Sequence, residues 1–261
     1  MTVVLKIIKY ELHNIFRSKW ILLYTVAFLL ITDSLFRFGG DASRVMVSLM
    51  NFVLIIVPLV SLIFGIIYLY NSREFIELLL SQPINRKQLF CGIFTGVSLP
   101  LILSFIVGVS LPFFLHDAFF HLPMLGILFI CGILLTLIFL AAAFFLSTKF
   151  EDRIKGFGFA IMLWLFFSVI FDGFILMIIF IFSDYPVEKI VIGLSMFNPV
   201  DLARIFLLLK FDIAALMGYT GAVFNRFFGS YLGMAVSITS LMIWLIIPFL
   251  LGLKKFMKKD F

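Results

Sequence analysis

The chain has 261 residues and a formal charge of +6; 64% of it is hydrophobic, 18% aromatic and only 13% charged, with mean hydropathy +1.23. That composition excludes a soluble globular domain of this size, because lipid must be the solvent for most of the apolar surface. The positive charge does not point to nucleic acid, since the basic residues flank apolar runs instead of forming one patch, as the positive-inside rule requires.

In chain order, residues 3–17 come first as an amphipathic segment. Val4, Ile8, Leu12 and Ile15/Phe16 make an apolar stripe, while Lys6, Lys9, His13 and Arg17 make a basic one. This pattern predicts a helix over residues 1–19 lying in the membrane interface, its cations toward lipid headgroups. There is no short apolar core with a small-residue cleavage site, so no signal peptide is expected. Lys19 and Trp20 mark the entry to the first predicted span, Trp20–Phe36, where Asp33 and Arg37 are spaced to neutralise each other. The second span is predicted over Val45–Tyr70, with Pro58 bending it.

Residues 72–90, SREFIELLLSQPINRKQLF, are the first substantial polar interruption. Glu74, Glu77 and Ser81 share one face of a short helix and Phe75, Leu78 and Leu79 the other. Pro83 stops that helix, and Arg73, Arg86 and Lys87 hold the segment on the cytoplasmic side. Two readings fit: a docking helix for a soluble partner, or a connector resting on lipid.

The third span is predicted over Gly92–Leu115, with Pro100 and Pro112, and the fourth over Pro123–Ser147. Between them His116, Asp117 and His121 admit either a metal site or an ordinary surface loop. The polar loop Lys149–Gly156 returns inside, and the fifth span is predicted over Phe157–Phe182. It carries Asp172, the one acidic residue deep in a strong span. Such a carboxylate either lines a path or pairs across a dimer, or only fixes helix packing. Residues 183–229 predict short helices on the outer face; a seventh span ranks second, because Asn198-Pro199, Asp201 and Arg204 interrupt any long apolar run. The last span is predicted over Tyr231–Leu253, stopped by Lys254, Lys255, Lys258 and Lys259.

In this layout the inner segments hold 14 of the 20 Lys and Arg residues, leaving Arg37, Arg44, Lys189, Arg204, Lys210 and Arg226 outside. The expected fold is therefore all-α and integral to the membrane. It has six transmembrane helices, an interfacial N-terminal helix and both termini in the cytoplasm, in a single transmembrane domain over residues 1–261.

No GxxxxGK[ST] phosphate loop, HExxH or GxSxG occurs, and no His, Cys and carboxylate cluster has metal spacing. The chain is thus read as non-catalytic, with no metal and no cofactor of its own. Cys91 and Cys131 read as packing residues. Met162, Met177, Met196 and Met217 are soft ligands in type, but filler is the commoner role. Gly92/Gly96 and Gly229/Gly233 fit GxxxG and allow close helix approach.

Three stretches carry a family resemblance. EFIELLLSQPINRKQL resembles the coupling region of ABC-2 type permeases, of the type V exporter-like fold. EDRIKGFGFAIMLWLFFSVIFD and NPVDLARI are similar to the NosY-like permeases, membrane subunits of the nitrous oxide reductase maturation complex. The resemblance implies a multi-pass homodimer of the cell inner membrane and two copies of a cytoplasmic ABC ATPase (NosF-like) that binds ATP and magnesium. It also implies a periplasmic β-helix protein (NosD-like), the whole supporting the copper–sulfur centre of the reductase by mechanical coupling or by export of a sulfur species. Carried over by position, Glu74, Glu77, Ser81, Pro83 and Arg86 meet the ATPase, and Asn198, Pro199, Asp201 and Arg204 shape the surface that meets the outer partner. The Asn-Pro-x-Asp pattern also reads as a self-capped helix start. An ABC-2 exporter of lipid, peptide or drug is the alternative, and an ATPase-independent membrane transporter or stand-alone enzyme the second.

Overall fold

A computed structural model describes residues 3–39, 42–118, 122–182, 188–210 and 231–259, and those residues form helices joined by short turns, with no strand among them. α1 (Val3–Phe16) is followed by α2 (Lys19–Gly39), α3 (Ala42–Asn71), the short α4 (Arg73–Leu80), α5 (Arg86–Leu115) and α6 (Leu122–Lys149). Then α7 (Arg153–Leu165), a π-helical turn (Phe166–Ile170) and α8 (Phe171–Ile181) run on as one rod. α9 (Glu188–Ser195), α10 (Pro199–Lys210) and α11 (Tyr231–Lys258) complete the described chain.

Among the described residues six helices are long and apolar enough to cross a membrane: Lys19–Gly39, Arg44–Asn71, Arg86–Leu115, Pro123–Lys149, Arg153–Ile181 and Ala235–Lys258. Two start earlier than hydropathy alone predicts, because their first turns are polar and capped. The Asn85 side chain accepts from the Lys87 amide at 3.0 Å, and Asp152 accepts from the Ile154 amide at 2.8 Å. At the other extreme α11 runs through Lys254, Lys255 and Lys258, whose charges suit a helix C-terminus. The predicted stop is one further turn of helix.

Contacts sort the helix ends into two groups. Tyr70, at the end of α3, donates to the Phe150 carbonyl after α6 at 2.8 Å, and Arg86, at the start of α5, donates to the Met257 and Lys259 carbonyls at 3.1 and 2.7 Å. At the opposite end Asp33 of α2 meets His116, just past α5, at 2.9 Å. An even number of crossings with α1 and the end of α11 on the same side satisfies both sets. The charge distribution makes that side the cytoplasm.

α5 and α6 sit at the centre. α1 and α2 lie along α5, and α3 and α11 lie along α6. The α1–α5 crossing uses the first GxxxG pair: a Cβ on Gly92 would meet Ile7 Cγ2 at 2.9 Å, and one on Gly96 would meet Glu11 Cβ at 2.5 Å. Glycine is required there so that α1 can lie close against the span. The second pair, Gly229/Gly233, has no described side-chain surroundings. Phe90 and Phe94 of α5 interlock with Phe144 of α6 and Phe249 of α11, closing the inner half of the core.

α9 and α10 do not rest on the outer face as predicted. The turn between them is inserted at mid-bundle. The Met196 carbonyl accepts from Ser240 and Trp244 of α11, each at 3.2 Å, and Asn198 Nδ2 donates to the Phe167 carbonyl at 2.8 Å. Phe167 is the central residue of the Arg153–Ile181 span, about 21 Å from either end at 1.5 Å per residue. The pair is therefore a re-entrant hairpin. Neither arm is a seventh span, since α10 has 12 residues and reaches only about 18 Å. Irregular backbone at this depth is tolerated because protein surrounds it: Val200, Leu202, Ala203 and Leu207 are buried in the core.

Candidate functional site

At the cytoplasmic end α4 projects between the second and third spans. Ile76 is its buried anchor, and Phe75 stacks on Tyr10 of α1 with ring centroids 5.0 Å apart. Glu74, Glu77, Leu78, Ser81, Gln82 and Pro83 face out. The sequence placed Leu78 on the apolar, inward face; the structure leaves it 67% exposed, because Ile76 takes the inward position. The outward face is thus a leucine flanked by two carboxylates and a hydroxyl. Glu77 is steadied by Arg73 at 3.2 Å, and Ser81 donates to the Leu78 carbonyl at 2.8 Å.

Arg86 is placed otherwise than the other four inner residues. Half-buried, it spends its donors on the carbonyls at the end of α11, so it fastens α5 to α11 instead of facing outward. Tyr70 makes the matching link from α3 to the Phe150–Asp152 linker. Sequence reasoning missed it, although a tyrosine closing an apolar span at the interface is a recognisable signal. The two spans that α4 connects are thus tied, through Tyr70 and Arg86, to the linker before the fifth span and to the end of α11.

Behind α4, Glu11 is fully buried where α1 crosses α5 and α3. Its Oε2 accepts from the Tyr68 hydroxyl, while Oε1 has no hydrogen-bond partner. Burial pushes its carboxyl above the usual carboxylate range, opposed by the Tyr68 bond. The buried row of α1 is Ile7, Glu11 and Ile15, not the Val4, Ile8 and Leu12 stripe read from the sequence. The missed signal is the four-residue spacing of Glu11 from both isoleucines.

In the outer half, Asp172 has a charge partner that the sequence did not reveal. Arg204 Nη1 lies 2.7 Å from Asp172 Oδ2 and 3.0 Å from Asp201 Oδ1, bridging α8 to α10. Asn198 welds the same junction: it serves the Phe167 carbonyl, within the π-helical turn, and caps α10 by accepting from the Val200 amide at 2.9 Å. Asn198, Pro199 and Asp201 are buried and Arg204 is half-buried. They fix where α10 stands against the fifth span and are themselves largely withdrawn from the surface. Ser168 Oγ and Asp201 Oδ2 are buried without partners.

His116 is occupied by Asp33 and stacks on Phe36 at 4.9 Å, Asp33 also pairs with Arg37 at 2.7 Å, and His121 lies outside the described residues. Met162 and Met177 point away from the bundle, and Met217 lies outside the described residues. Among the described residues no three His, Cys, Asp or Glu side chains converge as a metal group would require. The arrangement can hold and tether neighbouring helices.

Comparison with known proteins agrees with this inventory. A family model described as "ABC-2 family transporter protein" matches residues 5–261. The chain is 28% identical over 236 residues to the "Probable ABC transporter permease protein NosY" of Pseudomonas aeruginosa, covering 84% of this chain and 86% of the relative. It is 26% identical over 230 residues to the protein of the same name from Stutzerimonas stutzeri, covering 81% and 83%.

Proposed function

The chain belongs to the ABC-2 transporter family, and on that premise we propose that it is the NosY-like permease of a nitrous oxide reductase maturation complex. Membership implies a partner ATPase. In this reading two copies of the chain sit in the inner membrane, a NosF-like ATPase binding ATP and magnesium grips each α4, and a NosD-like β-helix protein meets the outer side. ATP-driven closure would bring the two α4 helices together. The motion would pass to the fifth span through Tyr70 and to α11 through Arg86. From its midpoint outward the fifth span is gripped by Asn198 and Arg204, so the re-entrant hairpin would shift beneath the outer partner. The copper–sulfur centre would be served by that motion, by export of a sulfur species, or by both.

The observation that carries this reading is the outward face of α4, with Glu74, Glu77, Leu78 and Ser81 exposed on a helix anchored from behind. Glu77→Lys tests it. The residue is exposed and its pair with Arg73 is a surface one, so membrane insertion should be untouched. The variant should retain about tenfold less ATPase on purification in mild detergent, as loss of one hot-spot contact predicts, and should fail to support copper-site assembly. Unchanged assembly would remove the coupling role. An ATPase retained by a wild-type chain whose deletion leaves the reductase intact would turn the reading to an ABC-2 exporter of lipid, peptide or drug.

A further inference from the structure

The junction of the fifth span with α10 carries more carboxyl groups than its one cation can balance. Asp172 Oδ2 and Asp201 Oδ1 both rest on Nη1 of Arg204, at 2.7 and 3.0 Å, so two carboxyls share a single guanidinium. The carboxyls also lie within hydrogen-bonding reach of each other. Asp201 Oδ2 is buried and receives no hydrogen bond from any described group. Ser168 stands four residues before Asp172, in the π-helical turn that α10 packs against, and its Oγ too is buried without a partner.

Among the described residues no other charge is placed to complete the balance. Of the elements packed on α10, α6 brings the buried thiol of Cys131 and no charged residue before Lys149; α11 brings no charged residue before Lys254. Both lysines are at the inner end. α3 brings Arg44, exposed at its outer start, with Tyr68 and Tyr70 at its inner end. The Glu188 and Lys189 side chains of α9 lie outside the described residues. Asp172 is nine residues inside the outer end of the fifth span, about 14 Å along the helix, too deep for so short a side chain to reach headgroup water. A divalent metal is not the missing cation, since among the described residues no three His, Cys, Asp or Glu side chains converge. Two ionised carboxylates have no hydrogen to share, so a bond between them requires that one be protonated. Like charges this close do not both ionise away from water.

We propose that Asp172 and Asp201 hold one proton between them at neutral pH, with Arg204 balancing the single charge that remains. The pair is a proton-binding site in the outer half of the membrane, at the joint between the fifth span and the re-entrant hairpin. The proton turns a repulsion into a hydrogen bond and so belongs to the tie that holds α10 to the span. Its loss leaves two carboxylates on one guanidinium, and the tie loosens as pH rises. By reciprocity, parting α8 from α10 releases one proton per chain. The site depends on these side chains alone and stands whatever the outer partner is.

The test is infrared spectroscopy of the full chain in mild detergent at pH 7, with aspartate labelled by carbon-13 at the side-chain carboxyl. A protonated carboxyl has a C=O stretch well separated from the carboxylate bands, and the label shifts it for aspartate but not for Glu11. One protonated aspartyl group per chain is expected, at a pH where ordinary aspartyl side chains are ionised. Asp172→Asn and Asp201→Asn, both nearly isosteric, should each abolish the band, because Arg204 then holds a lone carboxylate. Arg204→Gln should about double it, because neither carboxyl then has a counter-charge. Absence of the band from the wild-type chain overturns the proposal without any variant. Persistence in either Asn variant places the proton on one residue alone or outside the pair, and an unchanged band in Arg204→Gln removes the guanidinium as counter-charge; either result overturns it. A band that appears only when N-methylglucamine replaces sodium in the buffer makes a monovalent cation the occupant, and overturns it as well.

Discussion

In the fourth span 67% of the most apolar stretch is buried by neighbouring helices; in the fifth, the Arg153–Ile181 rod, only 11% is. The two follow one another in the chain, yet they are secured by different physics. α6 is fitted by volume: Gly132 lies flat against the Phe105 ring, a Cβ on Gly65 would meet Leu140 at 2.7 Å, and Ala141 and Ala143 are fully buried. The fifth span is instead tethered at three levels by side chains that donate to carbonyls. Tyr70 reaches Phe150 before its first turn, Trp164 reaches Ile55 at 3.1 Å in the turn ahead of Pro58, and Asn198 reaches Phe167 in the π-helical turn. In lipid, apolar surface gains little by leaving the solvent, so tight packing or directed polar bonds must hold a helix. A packed helix cannot shift without opening a void, whereas a tethered one can rock about its bonds. The fifth span is held chiefly by directed bonds and not by packing.

The contrast breaks most sharply at Phe139, on α6, whose side chain is 1% exposed and meets the Phe167 ring edge-on at 6.3 Å. Phe139→Ala should lower unfolding free energy by about 3–5 kcal/mol, visible as a large fall in melting temperature in detergent. A loss below about 1 kcal/mol would mean that the centre of the bundle collapses around the gap, and packing would no longer distinguish the two spans.

Asn198→Ala addresses the tethered side. It orphans the Phe167 carbonyl and uncaps α10, and a buried unsatisfied group together with a lost cap should cost about 1–3 kcal/mol. The functional loss should exceed that share of stability. On the proposed maturation reading, the chain should still insert and still retain its ATPase, while maturation activity falls by about tenfold or more because α10 no longer follows the span. A variant that loses stability and ATPase binding in proportion would make Asn198 a packing residue and nothing more.

How much of this the sequence disclosed follows from how far each signal reaches along the chain. Apolar runs of span length bounded by charges are self-contained, so the six spans and their inner side were legible. Asn85 and Asp152 were less so, since capped polar turns extend a helix past the point where hydropathy falls. The hairpin was misplaced because hydropathy reads Asn198, Asp201 and Arg204 singly, as interruptions. Their partners, the Phe167 carbonyl and Asp172, lie about thirty residues earlier and cancel the cost only in three dimensions. Leu78 and Ile76 exchanged roles for a different reason: a helix of eight residues has no periodicity long enough to fix its inward face.

Glu11 is the polar exception within the packed half, and it gives the smallest and most selective test. Its carboxyl is raised above 4.5 by burial, so the folded state holds the proton more tightly than the unfolded chain does. The associated stabilisation is complete below that value and is lost as pH rises through the folded-state pKa, where the carboxylate must ionise out of water. Glu11→Gln keeps an acceptor for Tyr68 and carries no charge. The variant should therefore match the native chain at low pH and be at least as stable near neutrality, so that the difference between the two melting curves grows with pH. Other carboxylates titrate in the same range, but they are common to both proteins and drop out of the difference. A difference that shrinks as pH rises would mean that Glu11 is ionised and satisfied where it sits. The α1–α5 crossing would then belong with the tethered contacts of the molecule and not with the packed ones.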